Sequence, residues 1–220
     1  MQEYVYTLGM IIRTQPQGDF DRRVVILTKD YGKITAFAKG ARRQTNRLVA
    51  KTDYFCFGEF KLYPGRNSYS LEDVVIHNSF QELRDDYFGA FYGMYFLEVM
   101  DYLTKENNDE KEMLKLLYQS LRAILSPNLQ NELVKTVFEL KSMVLSGEYK
   151  PSPLRQNMPP LLPATLYAED FVIYTPVEKL YTFNLKPEVL DELKRITDEE
   201  KHRLWQREFK TEEMIQFAKL

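Results

Sequence analysis

The feature of this chain that most limits its fold is a change of rhythm at residue 80. Before it, short runs rich in β-branched and aromatic residues alternate with turn signals at hairpin spacing. After it, apolar residues recur at three and four, the spacing of a helix with one buried face. Residues 3–13 (EYVYTLGMIIR), 22–28 (RRVVILT), 33–39 (KITAFAK), 54–63 (YFCFGEFKLY) and 70–78 (SLEDVVIHN) read as five strands. Residues 14–21, with Pro16 and Gly18, read as a loop, and Asp30-Tyr31-Gly32 as a tight hairpin turn. Gly58, inside the fourth strand, permits the bend or bulge that closes a small barrel. Five strands so spaced suit a small closed sheet such as the OB-type barrel; an SH3-like barrel is the rival on spacing alone.

The helical part begins with residues 81–103, where Leu83, Tyr87, Phe88, Phe91, Tyr95, Val99 and Leu103 share a face. The run FGAFYGMYF at 88–96 is apolar all round and reads as a buried central helix. Residues 110–125 form a second helix with Leu114, Leu117, Leu121 and Ile124 as its stripe. Residues 129–145 form a third, with Leu133, Val137, Leu140 and Val144, stopped by Gly147. Residues 150–163 carry Pro151, Pro153, Pro159, Pro160 and Pro163 and cannot be regular structure. Residues 166–174 read as a short strand, 186–197 as a helix opening at Pro187, and 198–217 as containing another. The expected fold class is α+β. A five-stranded OB-type β-barrel (residues 1–80) is followed by an all-helical bundle domain (81–220), with a proline-rich irregular insertion near 150–164. The first three helices are expected to pack as the bundle.

Composition excludes more than it suggests. The 220 residues are 44% hydrophobic and carry a formal net charge of -2, as expected of a globular protein with a sizeable core. One cysteine, Cys56, excludes an intramolecular disulfide; it sits among barrel aromatics and reads as an inert core thiol. No signal-peptide pattern and no run of about 18 apolar residues occurs, so a cytoplasmic protein without a membrane span is expected. There is no G-x-x-x-x-G-K-[ST] and no G-x-G-x-x-G. Only His77 and His202 are available as base or ligand, so no catalytic residue, metal or cofactor is expected. The paired acids Asp85-Asp86, Glu199-Glu200 and Glu212-Glu213 read as solvated helix charge.

The charge is unevenly placed. Residues 1–80 hold 12 Lys and Arg against 8 Asp and Glu, and residues 81–220 hold 18 against 24. Within the front half, residues 33–51 (KITAFAKGARRQTNRLVAK) contain six cations and no acid. A positive groove tracking phosphates, with aromatic faces for bases, is how single-stranded nucleic acid is held. Arg13, Lys33, Lys39, Arg42, Arg43, Arg47 and Lys51 supply the charge, and Tyr31, Phe37, Tyr54, Tyr63 and Tyr69 are candidate rings. Each ring has a competing role as barrel core, and the basic stretch has one as an ordinary solvated loop.

The run GDFDRRVVILTKDYGKITAFAKGARR (18–43) resembles the N-terminal signature of the bacterial RecO recombination mediators, and LYPGRN (62–67) fits it as well. FELKSMVLSGEYKP (138–151) resembles that family's central helix and the following turn, and REFKTEEMI (207–215) its final helix. The resemblance implies an OB barrel on a helical domain that binds single- and double-stranded DNA and anneals complementary strands. It implies action with RecR to load RecA, an indirect partner, on strands coated by single-strand-binding protein, in a nucleoid-associated setting. Arg22, Lys33, Lys39, Arg42 and Arg43 fall within the matching motif, with Arg47 and Lys51 just beyond; Arg22 has a structural alternative, fixing the loop before the second strand. Many members carry a four-cysteine zinc module after the central helix, where this chain has EYKPSPLRQNMPPLLP without a cysteine. The alternative function is a protein-interaction adaptor whose basic loop and helical domain dock an acidic partner peptide.

Overall fold

The computed structural model describes residues 3–151 and 160–217. The chain divides into two compact units, residues 1–87 with 96–114, and residues 88–95 with 115–220.

The first unit is built on β1 (Val5–Gln17), β2 (Asp21–Thr28), β3 (Lys33–Ala38), β4 (Phe57–Pro64) and β5 (Tyr69–Asn78). They close into a barrel in the order β1-β2-β3-β5-β4. All pairings are antiparallel except β3 with β5, which meet in parallel at Ala36 and Tyr69. This is the OB-type arrangement expected from the strand spacing. Alternation fills the barrel: Ile11, Val24, Ile26, Ile34, Ala36, Phe60, Leu62, Leu71 and Val74 form one buried cluster with Cys56. Burial pushes the Cys56 thiol up to about 11, so it is a neutral core group. At Gly58 the pairing of β4 with β5 shifts register, and a side chain there would collide with the carbonyl of Val75. The glycine is thus set by the close approach of two backbones.

Two strand boundaries differ from the expectation. β1 runs on through Gln17, with Pro16 opposite Arg22, where a loop is expected. β1 pairs with β4 only as far as Met10, and Ile11 still bonds with Phe55 and Cys56; beyond that no backbone among the described residues bonds to its second edge, so a proline without an N–H is tolerated. β4 begins at Phe57 rather than residue 54, because Phe55 takes a left-handed φ of 66° and breaks the extended run.

The outer-face residues Met10, Ile12, Val25 and Leu27 are buried as well. After the one-turn helix α1 (Glu82–Asp85) comes α2 (Tyr87–Leu103), whose Asp101 receives ion pairs from Arg13 (3.0 Å) and Lys33 (3.2 Å). The expected single helix over 81–103 is interrupted at Asp86, which is extended and stands at the N-cap position of α2. At the start of α2, Tyr87 and Phe88 are exposed, so the run's large side chains are buried only from Tyr92 onward.

The second unit includes most of α3 (Lys111–Ile124), then α4 (Asn131–Leu145), α5 (Pro163–Tyr174), α6 (Pro187–Leu204) and α7 (Lys210–Phe217). Gly147, at φ 76°, ends α4 as expected. The closest helix packing is among α4, α5 and α6 rather than among the first three helices. Residues 166–174, expected as a strand, lie in α5. Pro163 opens that helix, and Thr165, Ala168, Glu169 and Val172 form a buried stripe at helical spacing. From α4, the buried ammonium of Lys141 donates to the carbonyls of Val172, Ile173 and Thr175 at 2.9–3.0 Å. A cation on the open carbonyls at a helix end satisfies them and complements the dipole, which favours helix over strand here. Residues 152–159 of the proline-rich insertion lie outside the described residues.

A charge network sits inside this unit. Lys135 meets Glu139 (3.0 Å) and Glu212 (2.9 Å), and Lys201 meets the same two carboxylates at 2.9 and 2.6 Å. Tyr95 also donates to Glu139. Burial pulls both lysines down in pKa, but the paired carboxylates outweigh it and hold them above the ordinary lysine value. Burial likewise raises Glu212, and the two ammonium groups overcome it to leave that carboxyl below its usual range. Glu212, expected as solvated surface charge, is therefore a tie that fixes α7. Nearby, Trp205 is buried and its indole N–H has no acceptor among the described residues.

Candidate nucleic-acid interface

The basic stretch leaves β3 at Gly40, whose φ of 67° suits glycine and whose N–H donates to Asp21 at 2.7 Å. It then winds through successive short turns: Arg43 N–H to Gly40 O, Asn46 N–H to Arg43 O, Val49 N–H to Asn46 O and Lys51 N–H to Leu48 O. The Asn46 side chain closes the middle, donating to Lys39 O (3.1 Å) and accepting from Leu48 N–H (2.8 Å). Ala41 and Leu48 sink into the barrel core cluster. With two apolar residues anchored inward and the backbone bonded to itself, the intervening polar side chains are turned to solvent.

The eight candidate cations divide into two groups. Arg22, half-buried, donates through one nitrogen to Val49 O (3.0 Å), Thr52 Oγ1 (2.9 Å) and Asp53 Oδ1 (2.8 Å), so it clasps the far end of the loop to β2. Arg13 and Lys33 are held by Asp101. Lys51 is held by Asp73 Oδ1 and Val74 O, both at 2.8 Å. Each of these four cations is engaged by an internal carboxylate, Arg13 and Lys33 sharing one. Lys39, Arg42, Arg43 and Arg47 are exposed. Arg42 rests on the carbonyls of Gly18 and Asp19 at the β1–β2 tip, which accept from it without neutralising it. Arg43 lies 4.4 Å above the ring of Phe20. Arg47 donates to Glu72 O at 3.0 Å and reaches Asp73 at 3.6 Å with two thirds of its side chain in water. A hydrogen bond from Lys51 and the charges of Lys51 and Arg47 hold the Asp73 carboxyl below its usual pKa.

The arrangement thus joins the β1–β2 tip and the loop between β3 and β4 into one positive face. Phe20, half in water beneath Arg43, belongs to it although the sequence reading passed it over. A lone aromatic between two aspartates at a hairpin tip was the available signal. Of the candidate rings, Tyr63 is exposed, whereas Tyr31 and Tyr69 pack on the barrel core and Phe37 and Tyr54 are half-buried. A four-thiolate zinc site does not fit this chain. Its one cysteine is in the barrel core, and among the described residues no group of three or more His, Cys, Asp or Glu converges as ligands. Nor is any helix among them long and apolar enough to cross a membrane.

Comparison with known proteins places both parts of the chain together. The family model described as "Recombination protein O N terminal" matches residues 1–80, and "Recombination protein O C terminal" matches residues 84–152. The chain is similar to the DNA repair protein RecO of Clostridium novyi, with 33% identity over 141 residues, 64% of this chain and 55% of that protein. The RecO of Alkaliphilus metalliredigens is 34% identical over 143 residues, 65% of this chain and 58% of the relative. That of Symbiobacterium thermophilum is 36% identical over 144 residues, 66% and 56% respectively. The matched stretch spans little more than half the length of these relatives.

Proposed function

Since this chain belongs to the RecO family, we propose that it is a DNA-binding mediator of recombination and repair, and that Lys39, Arg42, Arg43 and Arg47 are its main phosphate contacts. It binds single- and double-stranded DNA through the backbone and anneals complementary strands. With RecR, it helps RecA onto strands coated by single-strand-binding protein. The supporting observation is the loop that sinks Ala41 and Leu48 into the barrel and turns four exposed cations outward, with Arg47 also reaching Asp73 at 3.6 Å. Such a face holds phosphates irrespective of sequence, because point charges and guanidinium forks read no base edge. Two strands bound on it have their mutual repulsion screened, which is what annealing requires. No residue is assigned a catalytic role, and the activity needs no cofactor.

Arg13, Arg22, Lys33 and Lys51 act in this reading as supports. Their charges hold α2, the loop and β5 in place, and DNA contact by them is secondary. The adaptor alternative gains less from the structure, because Lys135, Lys141 and Lys201 of the helical unit are occupied by internal partners. The test is annealing of complementary oligonucleotides at several salt concentrations, with and without RecR. Affinity for a single strand falls with salt at a log–log slope of roughly -0.7 per phosphate contacted. A protein whose slope and annealing survive replacement of Arg42, Arg43 and Arg47 by Ala does not bind DNA in this way.

A further inference from the structure

The barrel carries exposed rings that its core does not need. Tyr4, Tyr6 and Tyr63 are 45%, 55% and 39% exposed. They lie around one lysine: Lys61 Nζ is 4.2 Å from the centre of the Tyr4 ring and 6.0 Å from that of Tyr6. Tyr4 and Tyr63 meet in a T-shaped contact with ring centres 5.7 Å apart, which fixes both rings. We propose that this outer face of β1 and β4 is a stacking platform for the bases of single-stranded DNA, continuous with the positive loop. The proposal rests on the DNA-binding reading and adds to it a surface that distinguishes a single strand from a duplex.

Register gives the continuity. Tyr6 faces Lys61 across β1 and β4, and Lys61 faces Asp73 across β4 and β5. Cross-strand partners project to the same side of a sheet, so Tyr6, Lys61 and Asp73 form one row. Neighbouring strands are about 4.8 Å apart, so the row spans about 10 Å. At its end Asp73 meets Arg47 and Lys51, the last cations of the basic stretch. A backbone lying along Arg42, Arg43 and Arg47 is thus led toward Lys61, with three aromatic faces beside it. The Asp73 carboxylate within this row is engaged by Lys51 and Arg47, whereas the next row, which pairs Leu8 with Glu59 and Glu59 with Val75, holds a carboxylate and no cation. Rings interleaved with a cation are the chemistry of sequence-tolerant single-strand binding. A paired duplex keeps its bases stacked inside and cannot use such faces.

The test compares three probes of equal length: oligo-dT, an abasic single strand with the same number of phosphates, and a duplex. Replacing Tyr4, Tyr6 and Tyr63 together by Ala is expected to weaken oligo-dT binding by about tenfold or more. Binding of the abasic strand and the duplex, and the salt slope, stay at wild-type values. The Tyr→Phe triple restores oligo-dT binding, because it keeps the rings. Should the Ala triple not fold, Tyr6→Ala alone, at the most exposed ring, gives a smaller loss with the same probe pattern. Equal losses on all three probes, or unchanged oligo-dT binding, would overturn the platform. Loss of self-association instead, with oligo-dT binding intact, would assign the face to a protein contact and overturn it too. If wild-type protein binds none of the three, the DNA-binding reading itself falls, and the two failures are told apart by that control.

Discussion

The cations of the barrel loop and those of the helical unit share a chemistry and have opposite fates. Lys135, Lys141 and Lys201 are buried, and each is matched by carboxylates or by carbonyls at a helix end. Lys39, Arg42, Arg43 and Arg47 are in water on a loop whose backbone satisfies itself. A helix with a buried stripe takes a long cation inward only where a carboxylate or the open carbonyls of a helix end receive it, because an unpaired charge there is too costly. A wound loop has no such stripe and leaves its charge outside. Net charge by region therefore says less about ligand binding than the count of charges left unmatched.

That contrast can be broken at several points, with effects of decreasing size. Glu139→Ala leaves the buried ammonium groups of Lys135 and Lys201 sharing Glu212, with Asp198 reaching Lys201 at 3.4 Å, and is expected to lower stability by about 3–5 kcal/mol in urea unfolding. DNA affinity per folded molecule stays the same. Arg22→Met releases the clasp on the loop and removes charge-assisted hydrogen bonds worth about 2 kcal/mol. It is also expected to weaken DNA binding, because the loop then has to be ordered on binding. Replacing Arg42, Arg43 and Arg47 by Ala leaves stability within about 1 kcal/mol. It reduces the magnitude of the single-strand salt slope by about 2.

The smallest effect concerns pH. The Asp73 carboxyl is held low by Lys51, burial opposing and Arg47 assisting. A depressed carboxylate stabilises the native state above its unfolded pKa and loses that contribution as pH falls through the folded value. The tether of Lys51 and Arg47 is thus intact at neutral pH and weakens below about pH 4. Asp73→Asn should flatten this acid dependence of unfolding, and an unchanged acid limb would remove Asp73 from the tether.

The barrel was largely legible because alternation and turn residues are local signals. The change of rhythm at residue 80 separated strands from helices, and Gly58 marked the bulge. What was not legible depended on partners far away in sequence. Residues 166–174 have the β-branched and aromatic content of a strand, and Lys141 on another helix, which donates to their end carbonyls, adds a reason for helix that no local pattern contains. Arg13 and Lys33 look as available as Arg42 until Asp101 is placed beside them. Within the basic stretch, Leu48 and Ala41 were the sequence-level hint of which side faces inward, but Lys51 is withdrawn by Asp73, beyond any local pattern. Tyr4 and Tyr6 were readable as one side of β1, since Val5 and Thr7 alternate with them. Without the closed sheet, nothing said which side was outside.

Trp205 and Cys56 have a practical consequence as a pair. The chain has one tryptophan and one cysteine, and they fall in different units, both buried. Indole emission therefore reports the solvent exposure of the α6–α7 segment alone. The Cys56 thiol, raised to about 11 and enclosed by the barrel, reacts with an alkylating probe only when the barrel opens. Followed side by side through a denaturant series, the two native signals show whether the halves of the chain melt as one cooperative block or in succession. No label or substitution has to be introduced.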